Sequence, residues 1–166
     1  MHIFIKNKKL TFDKYRIKCA IGKRGIGNKR KEGDKITPKG KFKITTILYR
    51  GDRVSHFKSK ITSILIKKNM GWCDDAKSKH YNKLIKLPSK FKYEKLFKKE
   101  NIYDIILVLN YNMNPIVKGK GSAIFIHVAK KNYKKTEGCI ALKKFDLLKI
   151  LKELKRNTIV KIENQI

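Results

Sequence analysis

Apolar and polar residues alternate with a period of two in several short runs, the pattern of half-buried strands. Residues 2–6 (HIFIK) and 15–21 (YRIKCAI) alternate in this way, and 41–49 (KFKITTILY) and 61–66 (ITSILI) read as further strands. The run IILVL at 105–109 is apolar throughout and predicts a central strand covered on both faces. Residues 123–128 (AIFIHV) and 158–162 (TIVKI) complete the set. Only one segment has a clear helical period. Phe145, Leu148, Leu151 and Leu154 recur at helix spacing within 143–155, with Asp146 near its start and Asn157 placed for the exit turn. A short helix is also expected over 93–99, and 71–88 reads as irregular up to Leu87-Pro88. Many strands with one late α-helix predict a mainly β architecture.

The chain is 166 residues long, which predicts a single domain over residues 1–166. Hydrophobic residues make up 41%, enough for one ordinary core. Lys and Arg total 43 against 13 acidic residues, a formal charge of +30, which raises the prospect of an anionic polymer as partner. Most of these cations are Lys, and Ile and Asn are also abundant, the profile of an AT-rich genome. The charge is therefore weak evidence for a particular partner, and the aromatics form no RNA-stacking motif, so no specific nucleic acid is expected. The start, MHIFIKNKKL, has too short an apolar run for a signal peptide, and no stretch is long enough to span a bilayer. A soluble bacterial protein is expected, cytoplasmic as written or periplasmic where a leader has been removed, and a monomer is expected.

Glycines 22, 25 and 27 open a charged connection running to Gly40, but they fit neither G-x-G-x-x-G nor a P-loop. Three widely spaced cysteines, Cys19, Cys73 and Cys139, exclude a disulfide framework and a structural zinc site, and leave room for a reactive thiol. The segment GSAIFIHVAKKNYKKTEGCIAL (121–142) carries the chemistry. His127 ends a predicted strand, and Cys139 follows after a polar, Lys-rich loop long enough to fold the thiol back against the imidazole. An imidazole there can hold a thiolate or take the thiol proton during attack on a carbonyl. Gly138 permits close approach to the backbone, where N–H groups around Cys139 can line an oxyanion site.

This segment resembles the L,D-transpeptidase (YkuD-like) catalytic domain family, in which a strand ending in His is followed by a loop and Ser/Thr-x-Gly-Cys. Here these are His127 and Thr136-Glu137-Gly138-Cys139-Ile140. The runs GKGSAIFIH (119–127), LNYN (109–112) and EGDKITPKGKF (32–42) fit the same family, and GWCDDAKSKHYNK (71–83) resembles a shorter bacterial subgroup of it. The resemblance implies a β-sandwich or barrel catalytic domain that needs no metal and no organic cofactor. It implies that Cys139 attacks the third-residue carbonyl of a peptidoglycan tetrapeptide stem, with His127 as base, releasing the terminal D-alanine. The acyl group then passes to a second stem in a transpeptidase, or to water in an L,D-carboxypeptidase. Carbapenems would be expected to acylate Cys139. By the same resemblance Tyr111 and Asn112 line the groove, Ser122 lies near His127 and Thr136 orients the loop. The sequence departs from the common pattern in a shorter loop, in Glu137 where a second His is frequent, and in Ala141 where an Arg is frequent.

Other residues have plainer readings. Trp72, Asp74, Asp75, His80, Tyr81 and Asn82 form a polar, aromatic cluster that could wall a substrate site. Asp74 and Asp75 lack a second carboxylate cluster for a metal. Cys73 and Cys19 read as structural, and His2 and His56 as surface or core. Two alternatives stay open beside the acyl-transfer enzyme: a non-catalytic basic polymer-binding protein, and a family member whose catalysis has been lost.

Overall fold

The alternating runs pair into one large sheet in the computed structural model of the chain, which describes residues 2–55 and 57–164. His56, assigned to surface or core from sequence, lies outside the described residues. The strands are His2–Lys6 (β1), Lys9–Phe12 (β2), Tyr15–Lys18 (β3), Ile26–Gly27 (β4), Thr37–Pro38 (β5), Gly40–Tyr49 (β6), Ser63–Leu65 (β7), Met70–Cys73 (β8), Leu84–Lys86 (β9), Tyr93–Lys95 (β10), Ile105–Leu109 (β11), Phe125–Val128 (β12), Ile140–Leu142 (β13) and Ile159–Ile162 (β14). The helix Lys144–Glu153 (α1) precedes the last strand. The architecture is mainly β. No helix among the described residues is long and apolar enough to cross a membrane.

Nine strands form the main sheet in the order β13-β12-β11-β6-β14-β1-β2-β3, with β7 added beside β6. The two ends of this path meet. Past β3, the Ala20 N–H donates to the Ala141 carbonyl at 2.8 Å, and the Ala141 N–H donates back to Ala20 at 2.9 Å. The Thr136 N–H reaches the Ile21 carbonyl at 3.0 Å. These bonds cover backbone that an open edge would expose and bring the sheet close to a closed barrel.

Side-chain alternation then sorts residues between two cores. Ile105, Leu107 and Leu109 of β11 join Ile126 and Val128 of β12, Ile140 and Leu142 of β13, and Leu147, Ile150 and Leu151 of α1. Ile106, Val108 and Phe125 point the other way, against Trp72, Leu96 and Tyr103. A small sheet, β10-β8-β9, contributes to this second core. By the same alternation His127 shares a face with Phe125. The parallel register of β12 with β13, Ile126 beside Ile140, puts Cys139 on that face too.

Several sequence expectations change. Residues 93–95 are a strand, not the first turn of a helix. The Tyr93, Leu96, Phe97 spacing mimics a helical stripe, but β10 completes its hydrogen bonds against β8, with Glu94 opposite Trp72. The stretch 71–88 is not wholly irregular, because β8 and β9 pair within it. Met70–Cys73 escapes a period-two reading because it is covered on both faces. In α1, Phe145 is 66% exposed, whereas Leu147, Ile150 and Leu151 are buried with Leu154 just beyond the helix. The apolar face is thus rotated from the one anchored on Phe145.

Candidate active site

The thiol of Cys139 and the imidazole of His127 line one cleft of about 520 Å³. Each is held by the backbone. The Cys139 thiol donates to the Ala123 carbonyl at 3.1 Å and accepts the Phe125 N–H at 3.4 Å. The His127 Nδ1 lies 2.9 Å from the Val128 carbonyl. A carbonyl only accepts, so Nδ1 carries the proton and Nε2 keeps its lone pair. Tyr103 meets the imidazole edge-on, with ring centroids 5.5 Å apart, and restricts its rotation.

Burial sets the charge state of both groups. It pushes the Cys139 thiol up to about 12, against the smaller lowering effect of the Phe125 N–H. It takes the His127 imidazole down to about 4, an effect that the bond to Val128 opposes. At neutral pH the cleft therefore presents a thiol and a neutral imidazole, not a thiolate–imidazolium pair. An imidazole in that state has the lone pair a general base needs.

The loop carrying Cys139 is fixed from three sides. The Thr136 hydroxyl donates to the Cys139 carbonyl at 2.6 Å and accepts the Gly138 N–H at 3.2 Å. The Thr37 hydroxyl donates to the Gly138 carbonyl at 2.8 Å and accepts the Gly22 N–H at 2.8 Å. Gly138 adopts φ +141°, and a Cβ there would stand 3.0 Å from the Ile36 carbonyl oxygen. The close approach that requires this glycine is therefore the chain's own β5 approach, beside whatever room it leaves a substrate.

The sequence cluster around Trp72 acquires a definite place. Asn82 is buried, and its Oδ1 accepts the Trp72 Nε1–H at 3.1 Å and the Ala123 N–H at 3.1 Å. Its amide donates to the carbonyls of Tyr111 at 3.0 Å and Asn112 at 2.9 Å. Asn82 thus holds Ala123, a non-glycine residue at φ +52°, whose carbonyl takes the thiol proton's hydrogen bond. Asn82→Ala should strand these partners and lower unfolding stability by about 2–4 kcal/mol, measured by urea denaturation. A loss below roughly 0.5 kcal/mol would mean water replaces the amide.

The expected site residues fall into two groups. Cys139, His127, Gly138, Thr136 and Ser122 line the cleft. Ser122 donates to Glu32 at 2.9 Å. Tyr111 and Asn112 do not line it. The Tyr111 hydroxyl donates to the Lys120 carbonyl at 2.9 Å, and the Asn112 amide donates to Val117 at 2.9 Å and Gly121 at 2.8 Å. They brace the turn beneath the cleft because β11 ends just before them and its neighbouring loop needs its carbonyls satisfied. Glu32, Glu94 and Tyr103 also line the cleft; Glu32 opens the run 32–42 but is not among the expected site residues, and Glu94 and Tyr103 stand in no motif. Asp74 lies there with its carboxyl pushed up by burial. Asp75 instead accepts the N–H groups of Lys77 at 2.9 Å and Lys92 at 3.2 Å. No group of three or more His, Cys, Asp or Glu side chains suited to a metal occurs among the described residues. Cys19 and Cys73 are buried and free.

A buried ion pair shapes the cleft's far lip. Lys29 meets Asp34 at 2.5 Å, and its aliphatic stem crosses Gly121 so closely that a Cβ there would fall 2.4 Å from Cε. Against the desolvation that would raise it, Lys29 and the N–H groups of Arg30, Ile36 and Lys31 hold the Asp34 carboxyl at about 2.

Residues 1–162 match the family model of the YkuD, L,D-transpeptidase catalytic domain. The chain belongs to this family. No curated protein matches it. The L,D-transpeptidase family brings with it L,D-transpeptidase-type catalysis and a peptidoglycan substrate. The late helix and nearly closed sheet agree with the L,D-transpeptidase fold.

Proposed function

We propose that the chain is one catalytic domain that performs cysteine-dependent acyl transfer on peptidoglycan tetrapeptide stems. The observation that carries this reading is a neutral imidazole on β12 and a thiol one residue before its parallel neighbour β13, both lining one cleft, with the imidazole's acceptor nitrogen left without a protein partner among the described residues. When a stem enters, the Cys139 S–H turns from the Ala123 carbonyl to His127 Nε2. Sulfur adds to the third-residue carbonyl as the proton moves to the imidazole. The tetrahedral adduct collapses, the C–N bond breaks, and the imidazolium returns its proton to the departing D-alanine amine. The thioester then meets an amine of a second stem or a water molecule. His127 removes the acceptor's proton, and the C–S bond breaks to restore the thiol. Thr136 and Thr37 keep the loop rigid, and Ser122 contributes to the substrate wall with Glu32.

Mass spectrometry of a disaccharide-tetrapeptide incubated with the protein, beside a Cys139→Ala control, tests this. Loss of one D-alanine without a dimer identifies an L,D-carboxypeptidase. A cross-linked dimer identifies a transpeptidase. An unchanged stem with folded protein counts against acyl transfer and favours a polymer-binding role for the +30 chain.

A further inference from the structure

Charge is not balanced evenly around the cleft. Glu137 pairs with Lys23, and Glu94 pairs with Lys98 at 2.5 Å. Glu32 accepts the hydroxyls of Tyr81 at 2.5 Å and Ser122 at 2.9 Å. The loop between β12 and β13 carries one acid, Glu137, and that acid is already paired with Lys23. Its residues 129–136 read AKKNYKKT, without an acidic side chain. Lys130, Lys134 and Lys135 from this loop line the cleft, and none of them is in an ion pair among the described residues.

Backbone hydrogen bonds fix the path of the loop that carries these lysines. Ala129 donates to Leu142 at 2.6 Å, Tyr133 to Lys130 at 3.1 Å and Thr136 to Ile21 at 3.0 Å. Ammonium groups gathered at one mouth repel one another and attract an anion. Other parts of the lining carry the carboxylates Glu32, Asp74 and Glu94. The lining also carries Lys92 and Lys98, Lys98 being paired with Glu94, so the cleft presents both signs of charge. Such a lining suits a zwitterionic peptide better than a multiply charged phosphate, which the carboxylates would repel.

We propose that Lys130, Lys134 and Lys135 form a carboxylate-binding subsite that takes a free carboxylate of the substrate peptide. This rests on the acyl-transfer reading and supplies, from the loop, a cation that Ala141 on the cleft floor does not.

The test compares a tetrapeptide stem ending in a free carboxylate with the same stem ending in an amide. The variant Lys130→Gln/Lys134→Gln/Lys135→Gln is set beside Lys67→Gln/Lys68→Gln/Lys86→Gln, which removes the same charge from exposed positions outside the cleft. The loop variant should raise KM for the acid stem about tenfold, with kcat little changed, and erase the preference for acid over amide. Arg at the three loop positions should restore that preference. An unchanged KM, or an equal rise in both triple variants, would overturn the subsite. Calorimetric titration of the two stems into Cys139→Ala separates it from catalysis. An acid-over-amide difference in Kd that disappears with the loop lysines supports the subsite even without turnover. Turnover without any such difference removes the subsite and leaves acyl transfer standing. Binding of neither stem, without turnover, overturns both.

Discussion

His127→Asn is expected to lower kcat/KM by between about 10²- and 10⁴-fold, the usual contribution of a positioned general base. Asn keeps a donor for the Val128 carbonyl but has no basic nitrogen for the thiol. The pH profile should separate this mechanism from a preformed ion pair. Burial holds the free imidazole at about 4, so the acid limb of kcat/KM should fall near that value, not near 6.5. Alkylation of Cys139 should be slow at neutral pH and accelerate toward about 12, where the thiolate forms. His127→Asn should leave that neutral rate nearly unchanged. A preformed thiolate would instead react quickly at neutral pH and slow sharply in the variant. Stability gives an independent reading. The His127 contribution is fully present above 6.5 and is lost as pH falls through about 4, because the unfolded chain takes the proton first. The loss amounts to about 3 kcal/mol, and His127→Asn should flatten denaturation midpoints over that window. A variant retaining more than roughly a tenth of wild-type kcat/KM would sink the base role.

Gly138→Ala should be the second severe change. An added Cβ at φ +141° meets backbone oxygen of Ile36 at 3.0 Å, and Ile36 is locked within the segment leading to β5. Strain of about 1–3 kcal/mol is expected, relieved by displacement of the Cys139 loop. A shift of about 1 Å at the sulfur can cost on the order of 10²-fold in kcat. Gly119→Ala is the control, since Gly119 also has positive φ, +79°, but open space around it. It should lose stability by only about 1 kcal/mol and keep its activity. If Gly138→Ala turned over at the wild-type rate, the sulfur would not depend on this close contact.

The strongest secondary-structure signals came from burial on both faces or from clean alternation. Ile105–Leu109 was readable because no polar residue interrupts it, and His2–Lys6 because every second residue enters the core. Tyr93–Lys95 was misread because three residues cannot distinguish a helix stripe from an edge strand completed by a distant partner. Cys139 and His127 stand out as candidates through the wording of their shared segment, not through spacing alone, and the fold brings both to one cleft. Glu32 opens a family-like run, but nothing in that run points to its partner: its meeting with Ser122 joins positions 90 residues apart. Tyr111 and Asn112 sit near the site in sequence terms, yet their hydrogen bonds turn them to the support beneath it. Local sequence carries neighbourhood, whereas the direction of a side chain at a strand end depends on which carbonyls the next loop leaves unpaired.

The Ala123 carbonyl that retains the thiol proton also affects durability. Peroxide and similar oxidants attack thiolates far more readily than thiols, so the resting sulfur is shielded by its own protonation. In the proposed mechanism it becomes nucleophilic when a ligand turns it toward His127. Oxidative inactivation to sulfenic acid should therefore depend on occupancy of the cleft as well as on oxidant concentration, and an idle enzyme should outlast a working one under the same oxidative load.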